Sequence, residues 1–238
     1  EVATILLDTA RKQNAKYAFE GVEFGVVERD RAVGGQLLTL RGLAGEYPEI
    51  ELPLHGEHQG QNASLALAAV EAFFGGDRAL ARDVVLAGFA QVRSPGRLEM
   101  IRSEPLVVLD AAHNPHGVRA ASTAFKEAFE LSHVHAVVGI LGEKDALGIF
   151  EVLREEYVDS TDATFRLYLS ASDSSRAIAP EELQEIALDA GFDEDIITVC
   201  DHLDEALATA MENALFEQES AGVLVTGSVT VIGEARTL

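Results

Sequence analysis

One short segment combines the residue types that hold polar ligands. In DAAHNPHG, Asp110–Gly117, an acidic residue follows an apolar run, and His113 and Asn114 offer hydrogen-bonding groups just before a predicted helix. Pro115 suits the first turn of that helix, whose amino end would attract an anion. We therefore predict a ligand site here. Two simpler roles stay open, since Asp110 could cap the helix and His113 could be a solvated loop residue.

Arg97 and Asn62 have side chains suited to a nucleotide. Arg97, in GRLE, lies thirteen residues before Asp110, and a guanidinium binds phosphate through paired donors. The alternative is a surface ion pair with Glu99. Asn62 lies four residues after His58 on a predicted helix, so the two share a face, and its amide could bind an adenine edge. An isolated Asn on a helix is more often a cap or a solvated side chain.

Three more polar residues follow predicted strands. Lys144 and Asp145 come after HAVVGIL, and Ser228 comes after GVLVT. Each could be a turn residue and nothing more. Their convergence raises the case for a site, because polar groups that bind phosphate or carboxylate would then lie on one edge of one sheet.

The elements that must position these residues form an α/β pattern. Beyond the Ser94-Pro95-Gly96 turn, apolar strands alternate with helices, which predicts a mostly parallel, doubly wound sheet. The predicted strands are LVVLDA, HAVVGIL, TFRLYLS, DIITVC and GVLVTGS. The predicted helices lie near Gly117–Glu130, Ala146–Glu156, Pro180–Ala190 and Leu203–Gln218. In such a sheet ligands bind beyond the carboxyl ends of the strands, here the loops Asp110–Asn114, Gly142–Asp145, Ser170–Ser175 and Thr226–Ser228.

The chain before this turn has a different pattern. Short alternating segments over Tyr17–Leu54 predict β-hairpins with glycines at the turns. Glu57–Phe74 is rich in Ala and Leu at helical spacing, which predicts a long helix. Shorter helices are expected at Glu1–Gln13 and Arg78–Phe89. We place a domain boundary after Val92.

The charge balance excludes several classes of function. The sequence has 18 Lys and Arg against 40 Asp and Glu, a formal net charge of −22. Binding to nucleic acid or to an anionic membrane surface needs clustered cations, so we expect neither partner. The single cysteine cannot form an internal disulfide, and no apolar run is long enough for a transmembrane helix. Together these features predict a cytoplasmic location.

Several common catalytic motifs are missing. No Gly-Lys dipeptide occurs, so the sequence has no Walker-type phosphate loop, and GxGxxG is absent as well. HExxH is missing and one cysteine cannot build a structural zinc site, so we predict no metal ligands. Ser228 lies in TGSVT rather than GxSxG, which argues against a nucleophilic serine.

Five segments, taken together, carry a family resemblance. They are, in order, GEHQGQNASLALAAVEAF, SPGRLE, LDAAHNPHG, GILGEKD and VTGSVTVIGEAR. From Leu54 to its end the chain resembles the folylpolyglutamate synthase/dihydrofolate synthase family of Mur ligases. The resemblance implies that 1–92 is the C-terminal part of a central ATP-binding domain and that 93–238 is a Rossmann-like C-terminal domain. The phosphate loop, the main magnesium ligands and most of the folate pocket would then lie upstream, and this chain would be a fragment inactive alone. Ala111 departs from the family loop, which more often has Gly.

The resemblance also implies a reaction. ATP, with Mg²⁺, would phosphorylate a carboxylate of dihydropteroate or a reduced folate, and the amine of L-glutamate would attack the acyl phosphate. Cationic groups must then stabilise the charge that develops. By the match of motifs, Asn62 would contact adenine, Arg97 the phosphates of ATP and Asp110 the ribose. It assigns glutamate binding to His113, Asn114, Asp145 and Ser228, and catalysis to His113 and Lys144.

Two other interpretations stay open. A cell-wall Mur ligase would share the architecture, but it commonly has D-Y-A-H around the acidic loop. A non-catalytic module that binds a nucleotide or an amino acid would account for the missing phosphate loop. The substrate separates the two enzymes, since one uses reduced folate and the other a UDP-sugar peptide.

Overall fold

The computed structural model describes residues 2–217 and 219–238. Over these residues the chain forms two compact units. The first holds the chain up to Pro53 together with Glu57–Val92, and the second holds Leu54–Gly56 and Arg93–Leu238. The helix ends predicted at Glu1 and Gln218 lie outside the described residues.

An antiparallel sheet and three helices make up the first unit. Its strands are β1 Gly25–Ala32, β2 Gly35–Arg41 and β3 Glu46–Leu52, in the order β1-β2-β3. Its helices are α1 Val2–Lys12, α2 Glu57–Phe73 and α3 Arg82–Ala90. The predicted hairpins and the predicted long helix are thus confirmed, and α2 packs on β1 and β2.

Helix α3 begins at Arg82, later than the sequence predicts. The Tyr47 hydroxyl accepts a hydrogen bond from the Leu80 amide at 2.8 Å, and this bond holds the preceding stretch against β3. The same hydroxyl donates to Glu71 Oε1 at 2.6 Å, and Glu71 Oε2 accepts from the Ala44 amide at 3.1 Å. A buried tertiary network therefore sets where the helix begins, and no local pattern in the sequence reveals it.

A six-stranded sheet flanked by helices forms the second unit. Its strands are β4 Glu99–Ser103, β5 Leu106–Leu109, β6 His133–Val138, β7 Thr164–Leu169, β8 Ile197–Val199 and β9 Ala221–Thr226. Its helices are α4 Pro115–Ala128, α5 Ala146–Arg154, α6 Pro180–Asp189, α7 Leu203–Phe216 and α8 Val229–Ala235. The strand order is β4-β5-β9-β6-β7-β8, and only the β4–β5 pair is antiparallel. The predicted mostly parallel α/β sheet is confirmed.

Each central strand of this sheet buries both of its faces. Val108 packs into a core formed with α4, α5 and α6, whereas Val107 and Leu109 pack into a second core formed with α7 and α8. Successive side chains of a strand point to opposite faces, so a strand covered on both sides is apolar throughout. This arrangement explains why the predicted strands read as unbroken apolar runs.

Three local features differ from the sequence prediction. Strand β4 is an additional antiparallel edge strand, and most of its residues are exposed, so it has no apolar pattern. Helix α8 is also additional and has seven residues. Helix α5 ends at Arg154, and a π-helical turn, Glu155–Asp159, follows where the prediction continued the α-helix.

None of the helices in the described parts of the chain is long and apolar enough to cross a membrane.

Candidate functional site

The loops that follow β5, β9, β6 and β7 meet at the carboxyl edge of the sheet in the second unit. Gly227 N donates to Ala112 O at 3.1 Å, which joins the loop after β9 to the loop after β5. Gly139 N donates to Thr226 O at 3.3 Å, which joins the ends of β6 and β9. The structure therefore brings together the loops that contain the sequence-predicted residues Asp110, His113, Asn114, Lys144, Asp145 and Ser228.

Two glycines permit this close approach. Gly227 has φ +107°, a left-handed conformation that L side chains rarely adopt, and a Cβ there would lie 2.6 Å from the Gly139 carbonyl oxygen. A Cβ on Gly139 would lie 2.8 Å from the Ser170 carbonyl oxygen. Both distances are shorter than real Cβ contacts, so a larger residue at either position would push the loops apart.

Asp110 is a buried carboxylate that organises two loops. Its Oδ2 accepts a hydrogen bond from Leu98 N at 3.0 Å, and its Oδ1 accepts one from Ala112 N at 2.9 Å. Leu98 has φ +46°, so this bond supports an unusual backbone conformation. Burial raises the pKa of Asp110, although the two backbone N–H groups and the charge of Arg97 act in the opposite direction. The sequence left open that Asp110 caps the following helix. In the structure it does not, since Asn114 is the N-cap of that helix.

Three of the predicted substrate-binding residues are helix N-caps. The side-chain oxygen of Asn114 accepts from Gly117 N at 2.8 Å at the start of α4. Asp145 and Ser228 begin α5 and α8 in the same way. The amino ends of these helices, which carry partial positive charge, therefore all begin at the edge where the loops meet. The caps of α4 and α8 are neutral side chains, whereas the carboxylate of Asp145 already occupies the amino end of α5.

Two cations in these loops have no carboxylate of the described residues within ion-pair distance. Among the described residues, neither Arg97, which is exposed, nor Lys144, which is half-buried, forms an ion pair. The surface partner that the sequence offered to Arg97 is Glu99, but Glu99 pairs with Arg236 at 2.9 Å and also accepts from Gly96 N. Arg97 and Lys144 are two of the 18 Lys and Arg residues in a chain with a net charge of −22. Such cations can pair with the phosphate or carboxylate of a ligand.

The imidazole of His113 is held in one orientation. Its Nδ1 lies 2.9 Å from the carbonyl oxygen of Ala111. A carbonyl oxygen only accepts hydrogen bonds, so Nδ1 carries the proton, and Nε2 of the neutral ring is the acceptor. The ring is half-buried, and in this orientation Nε2 is the nitrogen left to contact a ligand.

A chain of hydroxyl groups that the sequence analysis missed supports Ser228. Ser172 Oγ donates to Thr230 Oγ1 at 2.9 Å, and Thr230 Oγ1 lies 3.1 Å from Ser228 Oγ. These contacts fix the start of the loop after β7 to the start of α8. The Ser-rich loop Ser170–Ser175 was a signal for Ser172, whereas nothing in the sequence marked Thr230.

Asn62 belongs to the other unit. It is exposed on α2, and its Nδ2 donates to Gln59 Oε1 at 3.3 Å. Gln59 in turn contacts the imidazole of His58.

The donor set of the second unit does not fit a metal site. Within residues 2–217 and 219–238 no three His, Cys, Asp or Glu side chains are grouped so that they could hold a metal ion. The carboxylates of Asp110 and Asp145 accept hydrogen bonds from backbone N–H groups. The loops at this edge contain both charges: Arg97, Lys144 and Arg176 are cationic, and Asp110, Glu143, Asp145 and Asp173 are carboxylates.

Comparison with known proteins supplies a family context. Residues 96–229 match the family described as Mur ligase, glutamate ligase domain. The whole chain is 42% identical to the dihydrofolate synthase/folylpolyglutamate synthase of Mycobacterium tuberculosis, of which it covers 50%. It is 28% identical to the folylpolyglutamate synthase of Lacticaseibacillus casei, with 96% of this chain and 51% of that protein aligned.

The fold has close counterparts among solved structures. A crystal structure of Mycobacterium tuberculosis folylpolyglutamate synthase complexed with ADP and AMPPCP superposes with a TM-score of 0.91 at 41% identity. The superposition covers 99% of this chain and 52% of that one. The chain thus spans about half the length of the relatives that it matches.

Proposed function

This chain belongs to the Mur ligase family, whose glutamate ligase domain it contains, and on that premise we propose that it is part of an ATP-dependent ligase. The ligase adds L-glutamate to dihydropteroate or a reduced folate through an acyl phosphate. One observation carries the proposal: two unpaired cations, one oriented histidine and three helix amino ends belong to loops that meet at one edge of the sheet. These groups suit two anionic reactants, an acyl phosphate and an amino acid.

The domain assignment is part of this proposal. The first unit corresponds to the C-terminal part of a central ATP-binding domain, and the second unit is the glutamate ligase domain. Support comes from the coverage of about half of each matched relative and from the family match over residues 96–229. Residues upstream of this chain then supply the phosphate loop and the main magnesium ligands. We also propose a cytoplasmic location, where the buried thiol of Cys200 would stay reduced.

His113 and Lys144 carry the chemical roles in this proposal. ATP with Mg²⁺ supplies the phosphoryl group that activates the carboxylate. The amine of L-glutamate is an ammonium at neutral pH and must lose a proton before it attacks, and Nε2 of His113 accepts that proton because Nδ1–H is held by Ala111 O. The Lys144 ammonium stabilises the negative charge that develops on the reacting oxygens.

The remaining predicted residues bind and position the reactants. Arg97 contacts the phosphates of the nucleotide, and Asn62 contacts adenine. Asp110 contacts ribose and also ties the Arg97 turn to the His113 loop through Leu98 N and Ala112 N. The helix caps Asn114, Asp145 and Ser228 aim three helix amino ends at the glutamate.

Mass spectrometry of pterin products tests the proposal. This chain and the same chain extended through its upstream sequence receive Mg-ATP, L-glutamate, and dihydropteroate or reduced folate in parallel. We expect a product heavier by one glutamyl residue from the extended chain alone. Use of a UDP-sugar peptide in place of the pterin would assign a cell-wall ligase. No product with either substrate would overturn the ligase and favour a binding module.

A further inference from the structure

The loop after β7 contains an arginine that none of the roles above uses. Arg176 lies in this loop, which begins at Ser170 on the carboxyl edge of the sheet. The loop starts beside Ser228, because Ser172 is bonded to Thr230. It therefore leaves the sheet next to one of the residues proposed to hold glutamate.

The other end of this loop is fixed to the Lys144 turn. Gly142 N donates to Arg176 O at 2.8 Å, and Ile178 N donates to Ile140 O at 3.0 Å. Leu141 and Ala177 form an antiparallel bridge between these two bonds. The backbone of Arg176 is thus held against the turn that presents Lys144, so its position does not depend on its own side chain.

The guanidinium of Arg176 has a carboxylate partner from that same turn. Its Nη1 lies 2.8 Å from Glu143 Oε1, and the arginine side chain is 64% exposed. A guanidinium has five N–H donors in a planar fork, and among the described residues only Nη1 is engaged. The remaining donors can bind a second carboxylate while the pair persists, or a ligand carboxylate can replace Glu143.

The proposed substrate, L-glutamate, has a second carboxylate that a free guanidinium donor could bind. L-Glutamate has two carboxylates, and the chain around it has a net charge of −22. The residues at the helix amino ends can hold one carboxylate near the reacting centre, but the second lies farther along the amino acid. On the basis of the proposed function, we propose that Arg176 binds the side-chain carboxylate of the incoming L-glutamate. When no glutamate is bound, the internal carboxylate of Glu143 occupies the guanidinium.

This role makes Arg176 a determinant of specificity. An arginine that pairs with the side-chain carboxylate favours glutamate over glutamine, which has the same length but a neutral amide in that place. An arginine bound to the α-carboxylate would affect both amino acids equally, because both have that group. A plain surface ion pair would affect neither.

The test compares Arg176→Gln with wild type in the extended, active chain. We expect the KM for L-glutamate to rise about tenfold, the KM for ATP to stay within about twofold, and the preference for glutamate over glutamine in kcat/KM to fall about tenfold. Calorimetric titration of L-glutamate and of L-glutamine without ATP gives an independent readout, in which only glutamate binding weakens. Glu143→Gln should act in the opposite direction and lower the KM for L-glutamate, because it removes the competing carboxylate.

Arg154→Gln is the matched control. Arg154 is also a partly exposed arginine of the second unit in a single ion pair, with Asp159 at 3.1 Å, but it lies at the far end of α5. The Arg154→Gln variant should leave both KM values, the ratio of kcat/KM for glutamate and glutamine, and the calorimetric affinities unchanged. Equal losses for glutamate and glutamine, or a KM for glutamate in Arg176→Gln within twofold of wild type, would refute the inference while the ligase assignment stands. An inactive wild-type extended chain would instead refute the proposed function.

Discussion

Replacement of Gly227 by alanine tests the view that close approach of the loops builds the site. In the native structure a Cβ on this residue would lie 2.6 Å from the Gly139 carbonyl oxygen. Ordinary contacts begin near 3.4 Å, so the backbone must move by about 0.8 Å, the difference between the two distances. The loop after β9 would then separate from the end of β6.

The cost can be worked out from the backbone. An alanine at φ +107° costs about 1 to 2 kcal/mol, and displacement of a buried carbonyl adds about as much again. The lower entropy of the unfolded alanine chain returns less than about 1 kcal/mol. We therefore expect Gly227→Ala to lower the free energy of unfolding of the second unit by about 2 to 3 kcal/mol.

Gly233→Ala is the matched control from the same segment. Gly233 lies inside α8, and a Cβ there would meet no atom within 4 Å. Because alanine is the better helix former, this variant should be more stable by about 0.5 to 1 kcal/mol. Urea unfolding of the chain followed by far-ultraviolet circular dichroism measures both. Equal stability of the two variants would refute the packing argument, and so would a Gly227→Ala protein as stable as wild type.

Three further predictions concern single side chains of the second unit. Asn114→Ala should lower the free energy of urea unfolding by about 1 kcal/mol, because Gly117 N at the start of α4 loses its capping oxygen; an unchanged midpoint would contradict the cap. Burial lowers the pKa of His135 to about 4, while that of the unfolded residue is 6.5, so the unfolded state takes up the proton first. Stability should therefore fall, by roughly 2 kcal/mol, as the pH drops from 6.5 toward 4, and His135→Gln, compared in unfolding titrations, should reduce that slope. Lys144→Met should lower kcat of the extended chain at least about 100-fold with little change in unfolding, and a kcat near wild type would remove Lys144 from catalysis.

The order of strands and helices could be predicted from the sequence. Each central strand of the second unit is an unbroken apolar run because both of its faces are covered, and each helix has its own spacing. Such patterns are local, so they give the elements, the parallel sheet and the edge at which its loops meet. The same logic fails for β4, whose exposed residues have no pattern, and for the start of α3, which the Tyr47 hydroxyl fixes from a distant strand.

What each side chain does at that edge was decided by the tertiary structure. The sequence identified Asp110, Asn114, Asp145 and Ser228 as polar residues at strand ends, but it could not separate ligand contacts from helix caps. That distinction depends on which backbone N–H group lies within about 3 Å of each oxygen, and the fold sets this distance. The pairing of Glu99 with Arg236 and of Arg176 with Glu143 has the same origin, since residues far apart in the chain meet only once the sheet has formed.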